Sequence, residues 1–240
     1  MRAIGFSTGA LALGDFRLGL KILAQTDATA VELSALRQSE LEPMLEALPD
    51  LDLSEFSHIS LHLPSSIEPS FEARLLHLVP KIPATWPLIT HPNIISLWDA
   101  WKELGDRVCI ENMDKRKEIG QTARHLRKIF DKLPDATFCL DIGHVHQVDP
   151  TMGEAVLILE ELRNKLSQLH ISEVNSESRH DPISLEAAIA FEIVATLIPE
   201  GVPAILESKI PRGMDPVAQV KSEMELVNSL LSSPVEIVGD

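Results

Sequence analysis

The strongest constraint in this chain is an alternation repeated eight times. Short β-type runs occur at AIGFS (3–7), TAVELS (29–34), HISLHL (58–63), PLITH (87–91), RVCIEN (107–112), TFCLDI (137–142), SQLHIS (167–172) and PAILES (203–208). Each is followed by a stretch whose apolar residues recur every three or four positions, as Ala155, Leu159, Leu162 and Leu166 do. The predicted helices cover 15–25, 37–48, 71–79, 94–104, 118–132, 152–165, 184–198 and 215–231. Asp15 and Ser184 are expected to cap helix starts, Asp149-Pro150-Thr151 to open another, and Pro134, Pro199 and Gly201 to interrupt the chain after helices. Short buried strands alternating with amphipathic helices imply a parallel sheet covered by helices. Over 240 residues, eight units leave about 30 residues each, enough for right-handed βα crossovers. Eight such units close on themselves, so the expected class is α/β, a single (β/α)8 TIM barrel over residues 1–240. The rival, an open doubly wound sheet, is weakened because no G-x-G-x-x-G follows the first strand.

Composition narrows the function. With 21 Lys+Arg against 36 Asp+Glu, the formal charge is −15, which opposes general attraction to nucleic acid or anionic lipid. The richest apolar stretch, AAIAFEIVATLI, is broken by Glu192, so no membrane span is expected. The N-terminal MRAIGFSTGALALGDF reads as a first strand rather than a signal peptide. Cys109 and Cys139 are too few for a disulfide framework, and a reducing cytoplasm is the expected compartment. Tyrosine is absent, which removes it as a general acid.

In a parallel barrel, chemistry gathers at the C-terminal strand ends. Metal-ligand residue types fall there repeatedly: His62 and His91 close strands 3 and 4, and Glu111 closes strand 5. Asp141 ends strand 6 with His144 three residues on, while His170 and Glu207 lie near the ends of strands 7 and 8. A lone strand histidine is usually a satisfied or surface residue, and a lone glutamate is usually solvated. Here the repetition carries the argument. Ile110, Leu140 and Leu206 flank the carboxylates with opposite parity, so the acidic groups point inward if those neighbours face the helices. Carboxylates crowded at one mouth repel unless a cation or protons compensate. Glu111, Asp141, His170 and Glu207 form an oxygen-rich donor set, which favours Mn²⁺ or Mg²⁺ and admits Zn²⁺ or Co²⁺. His62 and His91 are candidates for a second ion shared through Glu111, or for binding substrate hydroxyls; His144 could do either.

The series H-L-P, H-P, I-E-N-M, L-D-I-G-H, L-H-I-S and I-L-E-S resembles the xylose-isomerase-like TIM barrels over the whole chain. That superfamily includes sugar isomerases, ketose epimerases and apurinic endonucleases of the endonuclease IV type. The resemblance to the epimerases implies one divalent metal on Glu111, Asp141, His170 and Glu207, with Glu111 and Glu207 as the acid/base pair and His144 and Arg179 touching substrate. The resemblance to the endonucleases implies a second zinc on His62 and His91. Their third zinc takes the His144 position and an Asp-x-His pair, which here reads Ser178-Arg179-His180 and lacks the Asp. H-D-P-I-S (180–184) also lacks the Gly-rich turn of many sugar-acting members.

The leading expectation is therefore metal-dependent isomerisation or epimerisation of a small polyhydroxy carbonyl compound through an enediolate. Cleavage of abasic DNA is the second reading, supported by His62 and His91 and opposed by the acidic balance. A metal-binding barrel without activity is the third. Cys109 and Cys139, two residues before Glu111 and Asp141, are expected to fill the barrel core below the metal. Trp98 and Trp101 fit helix packing or a contact in a homo-oligomer, and Glu32 an inward carboxylate that is either buried and paired with a cation or near the mouth. The basic residues of DKRK (114–117), with Arg124, Arg127 and Lys128, are read as a solvated helix face. Lys209 and Arg212 sit where a phosphate grip would be.

Overall fold

The computed structural model describes residues 2–232. The chain runs β1 (Ile4–Ser7), α1 (Thr8–Ala12), α2 (Phe16–Leu23), β2 (Ala30–Ser34), α3 (Gln38–Ala47), β3 (His58–His62), α4 (Glu72–Leu78), β4 (Leu88–Thr90), α5 (Trp98–Lys102) and β5 (Val108–Glu111). It continues through α6 (Ala123–Lys132), β6 (Thr137–Asp141), α7 (Ile142–Val148), α8 (Gly153–Leu162), β7 (Leu166–Ile171), β8 (Glu173–Val174), β9 (His180–Asp181), α9 (Leu185–Ala195), β10 (Ala204–Leu206) and α10 (Pro216–Ser232). Eight strands close into a parallel barrel in the order β1-β10-β7-β6-β5-β4-β3-β2. This is the (β/α)8 architecture that the alternation predicts. No helix among the described residues is long and apolar enough to cross a membrane.

Strand parity sorts the side chains. Phe6, Val31, Leu33, Leu61, Leu88, Val108, Ile110, Phe138, Leu140, Leu169, Ile171 and Leu206 join one apolar core with the helices. Their neighbours of opposite parity fill the barrel. Register pairs Glu32 with Ser60, Cys139 with Glu111 and with Gln168, and Asp141 with His170. Ile89, Cys109 and Cys139 form a separate small apolar cluster in this interior, so the two thiols pack the barrel below the charged groups.

Local chemistry sets the helix ends. Asp15 accepts from the Leu18 amide at 3.0 Å and Ser184 from the Ala187 amide at 3.2 Å, as expected for N-caps. Two helices are shorter than their periodicity suggests. Thr122 caps the His125 amide at 3.2 Å, so α6 starts at Ala123 rather than 118. The helix expected over 94–104 shrinks to α5 because the Ser96 and Leu97 amides bind the Glu72 carboxylate at 2.7 and 2.9 Å. α1, α7 and the β8–β9 hairpin lie outside the eightfold pattern; each is too short to show a period.

Glu72 makes a testable contribution to stability. It is buried and also accepts from the Trp101 indole at 2.8 Å and from the Ser96 hydroxyl. Burial alone would raise its pKa, but the donors from Leu97 and Ser96 outweigh it and hold the carboxyl below the ordinary value. Its stabilisation is therefore complete above the unfolded-state pKa and lost as pH falls through the lower folded value. Glu72→Ala should cost about 3 kcal/mol at neutral pH by stranding buried donors, and the gap to wild type should narrow in acid. Urea unfolding at pH 7 and pH 3 tests both statements; a gap that widened in acid would contradict the sign.

Candidate metal centre

The C-terminal mouth of the barrel opens into a cavity of about 480 Å³ lined by His62, His91, Glu111, His144, His180 and Glu207, among others. Glu111 lies at its floor, buried, with its two oxygens facing different ways. Oε2 is 3.0 Å from His91 Nε2 and 3.2 Å from His62 Nε2. Oε1 is 3.2 Å from His170 Nδ1 and 3.4 Å from His144 Nδ1. Donor atoms of Glu111, Asp141, His170 and Glu207 lie within 4.8 Å of one another, as do those of His62, His91 and Glu111. A third group joins Asp141, His144 and His180, and a fourth Glu32, His62 and Glu207.

The motif L-D-I-G-H assembles one side of the cluster. Asp141 caps α7, its Oδ1 accepting from the His144 amide at 2.7 Å. That leaves Oδ2 buried without a hydrogen-bond partner. Gly143 lets the new helix approach β7: a Cβ there would lie 2.3 Å from the Ser172 carbonyl oxygen. Asn112 then splices β5 to β6 beyond their regular ladder. Its amide donates to the Asp141 carbonyl at 2.9 Å, and its Oδ1 accepts from the Asp141 amide at 2.8 Å. Glu111 and Asp141 are thus held at a fixed separation by a side chain imitating a strand.

Backbone contacts turn the imidazoles. His62 Nδ1 donates to the Leu63 carbonyl at 2.6 Å and His144 Nδ1 to the Asn112 carbonyl at 2.9 Å, so that in the neutral ring Nε2 is the nitrogen with the lone pair. His180 Nδ1 sits 2.8 Å from the Ser172 hydroxyl and 3.6 Å from Glu207 Oε2.

The electrostatics report crowding. Burial, reinforced by Glu111, pushes Asp141 well above the ordinary carboxylate range. Burial also raises Glu207 to about 8, with the charges of Glu111 and Asp141 adding to it against the opposing pull of His170. Burial opposes a charge on His62, but Glu111, Glu32 and Glu207 prevail and raise it to about 9. His180 goes the other way, down to about 3, through burial and the neighbouring His144. Three convergent carboxylates, Glu111, Asp141 and Glu207, with the His170 imidazole and an unpartnered buried oxygen on Asp141, form a donor set that fits a divalent cation.

Arg179 is not brought to this cluster: it lies exposed on the β8–β9 turn, paired with Glu177 at 2.9 Å. The basic run is also placed differently from expectation. Asp114, Arg116 and Lys117 belong to the loop after β5 and line the cavity, with Arg116 paired to Asp114, while Arg127 stays on the outer face of α6 paired with Glu161. Arg212 is exposed and does not line the cavity; Lys209 does. Trp101 is buried helix packing against Glu72. Asn112 and Gln168 carry no motif of their own; adjacency to Glu111 and shared inward parity with His170 are their sequence signals.

A closed parallel barrel carrying acidic and imidazole groups at its C-terminal mouth defines the class: a (β/α)8 barrel with a metal-ligand type of centre. More particularly, residues 83–230 match the family model described as xylose isomerase-like TIM barrel, and the chain belongs to that family. Solved structures of the same fold include a D-tagatose 3-epimerase-like protein, 17% identical, with a TM-score of 0.63 over 96% of this chain and 97% of that one. A protein from Anabaena variabilis described as a sugar phosphate isomerase/epimerase is 13% identical, with a TM-score of 0.64 over 96% and 98% of the two chains. A xylose isomerase-like TIM barrel protein from Mycobacterium smegmatis in complex with magnesium is 15% identical, with a TM-score of 0.53 over 91% and 90%. No curated protein matches the sequence.

Proposed function

We propose that this protein is a divalent-metal-dependent isomerase or epimerase of a small polyhydroxy carbonyl compound. The observation that carries the reading is the convergence of Glu111, Asp141, His170 and Glu207 donor atoms within 4.8 Å at the floor of an open cavity. The names of two structural relatives, an epimerase-like protein and a sugar phosphate isomerase/epimerase, point the same way. When bound, the cation supplies Lewis-acid polarisation of the substrate carbonyl and balances the clustered negative charge.

The chain's own residues do the rest. One of Glu111 and Glu207 removes the proton from the carbon beside the carbonyl, and the other delivers a proton. Delivery to the same carbon from the opposite face inverts it; delivery to the former carbonyl carbon moves the carbonyl by one position. His144 and His180, on the cavity wall, are placed to bind substrate hydroxyls. Lys117 and Lys209 line the same cavity with no ion-pair partner among the described residues, and suit a substrate carrying an anionic substituent.

A second reading, metal-assisted phosphodiester hydrolysis, is favoured by one specific observation. Glu111 directs Oε2 to His62 and His91 and Oε1 to His170, so that His62, His91 and Glu111 would hold a second cation beside the one held by Glu111, Asp141, His170 and Glu207. The net charge of −15 opposes a DNA substrate.

The deciding experiment loads the protein separately with Mn²⁺, Mg²⁺, Zn²⁺ and Co²⁺, counts bound metal, and screens ketoses, their phosphate esters and an abasic DNA duplex with the same samples. Ketose interconversion that chelator abolishes is the expected result. Cleavage of DNA alone selects the second reading. Full metal uptake without turnover leaves a binding barrel and overturns the proposal.

A further inference from the structure

A line of hydrogen bonds crosses the barrel interior behind the candidate centre. His58, the first residue of β3 and half-buried at the opposite end of the barrel, places Nε2 2.8 Å from Gln168 Oε1. Gln168 Nε2 donates to Glu32 Oε2 at 2.8 Å, and the Ser60 hydroxyl donates to the same oxygen at 3.2 Å. His170 Nε2 meets that oxygen at 2.9 Å and lies 3.0 Å from Gln168 Nε2, so that both nitrogens converge on Glu32, while its Nδ1 faces Glu111 and Glu207 at 3.2 and 3.5 Å. Glu32, Ser60, Gln168 and His170 are all fully buried.

The direction of these bonds is determined by chemistry. An ionised carboxylate only accepts, so His170 must carry a proton on Nε2 and, when neutral, present the Nδ1 lone pair to the cluster. An amide has one donor end and one acceptor end. Gln168 therefore turns its NH2 toward Glu32, since the flipped amide would set oxygen against carboxylate, and His58 donates to the Oε1 left at the far end. Each member fixes the next, starting from His58, whose own partner is Gln168 and not a candidate ligand.

We propose that Glu32 is the positioning residue of the centre: it fixes the tautomer and ring angle of His170, and His58 and Gln168 hold Glu32 in place from the far end of the barrel. This rests on the reading of His170 as a metal ligand. Outer-shell partners of ligating histidines change metal affinity by about 10–100-fold when removed.

Two readouts test it without any substrate. The first is long-range ¹H–¹⁵N correlation spectroscopy of the zinc-loaded protein labelled at histidine nitrogens, which reads the tautomer of each ring. His170 is expected as the Nε2–H form; a Nδ1–H form overturns the proposal. The second is Zn²⁺ and Mn²⁺ affinity by competition with a chromophoric chelator, for Glu32→Gln, Gln168→Leu and His58→Phe. His58→Phe touches no candidate ligand, and Gln168→Leu removes a neighbour of the His170 ring, 3.0 Å away, without removing a ligand; each should weaken binding at least threefold, with Glu32→Gln weakening it about 10–100-fold. Where Gln168→Leu fails to fold, His58→Phe, at a half-buried site, carries the test. Wild-type affinity in both distal variants, with the centre otherwise taking up metal normally, overturns the chain as a positioning device. Failure of the wild type to take up metal would instead sink the functional reading on which this inference rests.

Discussion

If the proposed function holds, Glu111→Gln is expected to lower the proposed ketose interconversion by about 10³-fold or more and to weaken metal binding at the centre, while leaving the fold intact. The substitution is isosteric and buried, so packing is preserved. What changes is charge and donor character. Glutamine offers one carbonyl oxygen and an NH2 group, and no placement of that amide serves both sets of partners. With oxygen toward His62 and His91, the NH2 points at His170 and His144; with the amide flipped, the reverse holds. Either way one set loses its shared ligand and gains a donor where a cation would sit. The loss of metal affinity should exceed the roughly 10–100-fold typical of outer-shell changes. Metal counting after dialysis and the far-ultraviolet circular dichroism spectrum provide the check. Retained metal at wild-type affinity would show that Glu111 is not the hub of the centre.

The same residue shows how far sequence reasoning reaches. Alternation, parity and the position of a residue near its strand end suffice to bring Glu111, Asp141, His170 and Glu207 to one place, because in a closed parallel barrel those rules leave little freedom. They say nothing of Arg179, which the family resemblance alone suggests. Its position depends on a turn between two-residue strands, β8 and β9, and no periodicity reports the direction of a side chain on such a turn. The basic run at 114–117 is misread differently: it precedes even the predicted helix start at 118, and in the loop after β5 its Arg116 and Lys117 line the cavity instead of joining Arg127 on the helix surface. Long-range polar pairs are the least legible. Nothing local to Gln168 shows that it links His58 to Glu32, residues 110 and 136 positions away. Asn112 was readable only as the neighbour of a ligand; its imitation of a strand across to Asp141 appears once the register is known.

Gly143→Ala carries the second large effect, and it separates the scaffold of the centre from its donors. The added methyl adds no charge and takes away no donor atom. It would nevertheless meet the Ser172 carbonyl oxygen at 2.3 Å and the Val174 side chain at 2.8 Å, and the first of these is backbone that cannot swing aside. α7 must therefore move away from β7, or β7 from the barrel wall. Movement of α7 pulls on the Asp141 cap of the His144 amide and on the contact of His144 Nδ1 with the Asn112 carbonyl, the two bonds that aim these side chains. A loss of about 3 kcal/mol is expected, at the upper end of what overpacking a closed interior costs. Metal affinity should fall with it although all the proposed ligands are still present. Denaturant unfolding of the metal-free protein measures the first effect and chelator competition the second. A variant as stable as wild type with unchanged affinity would mean that the close approach of α7 to β7 does not set the position of Asp141, and the account of L-D-I-G-H as a unit of cap, close contact and ligand would have to be abandoned.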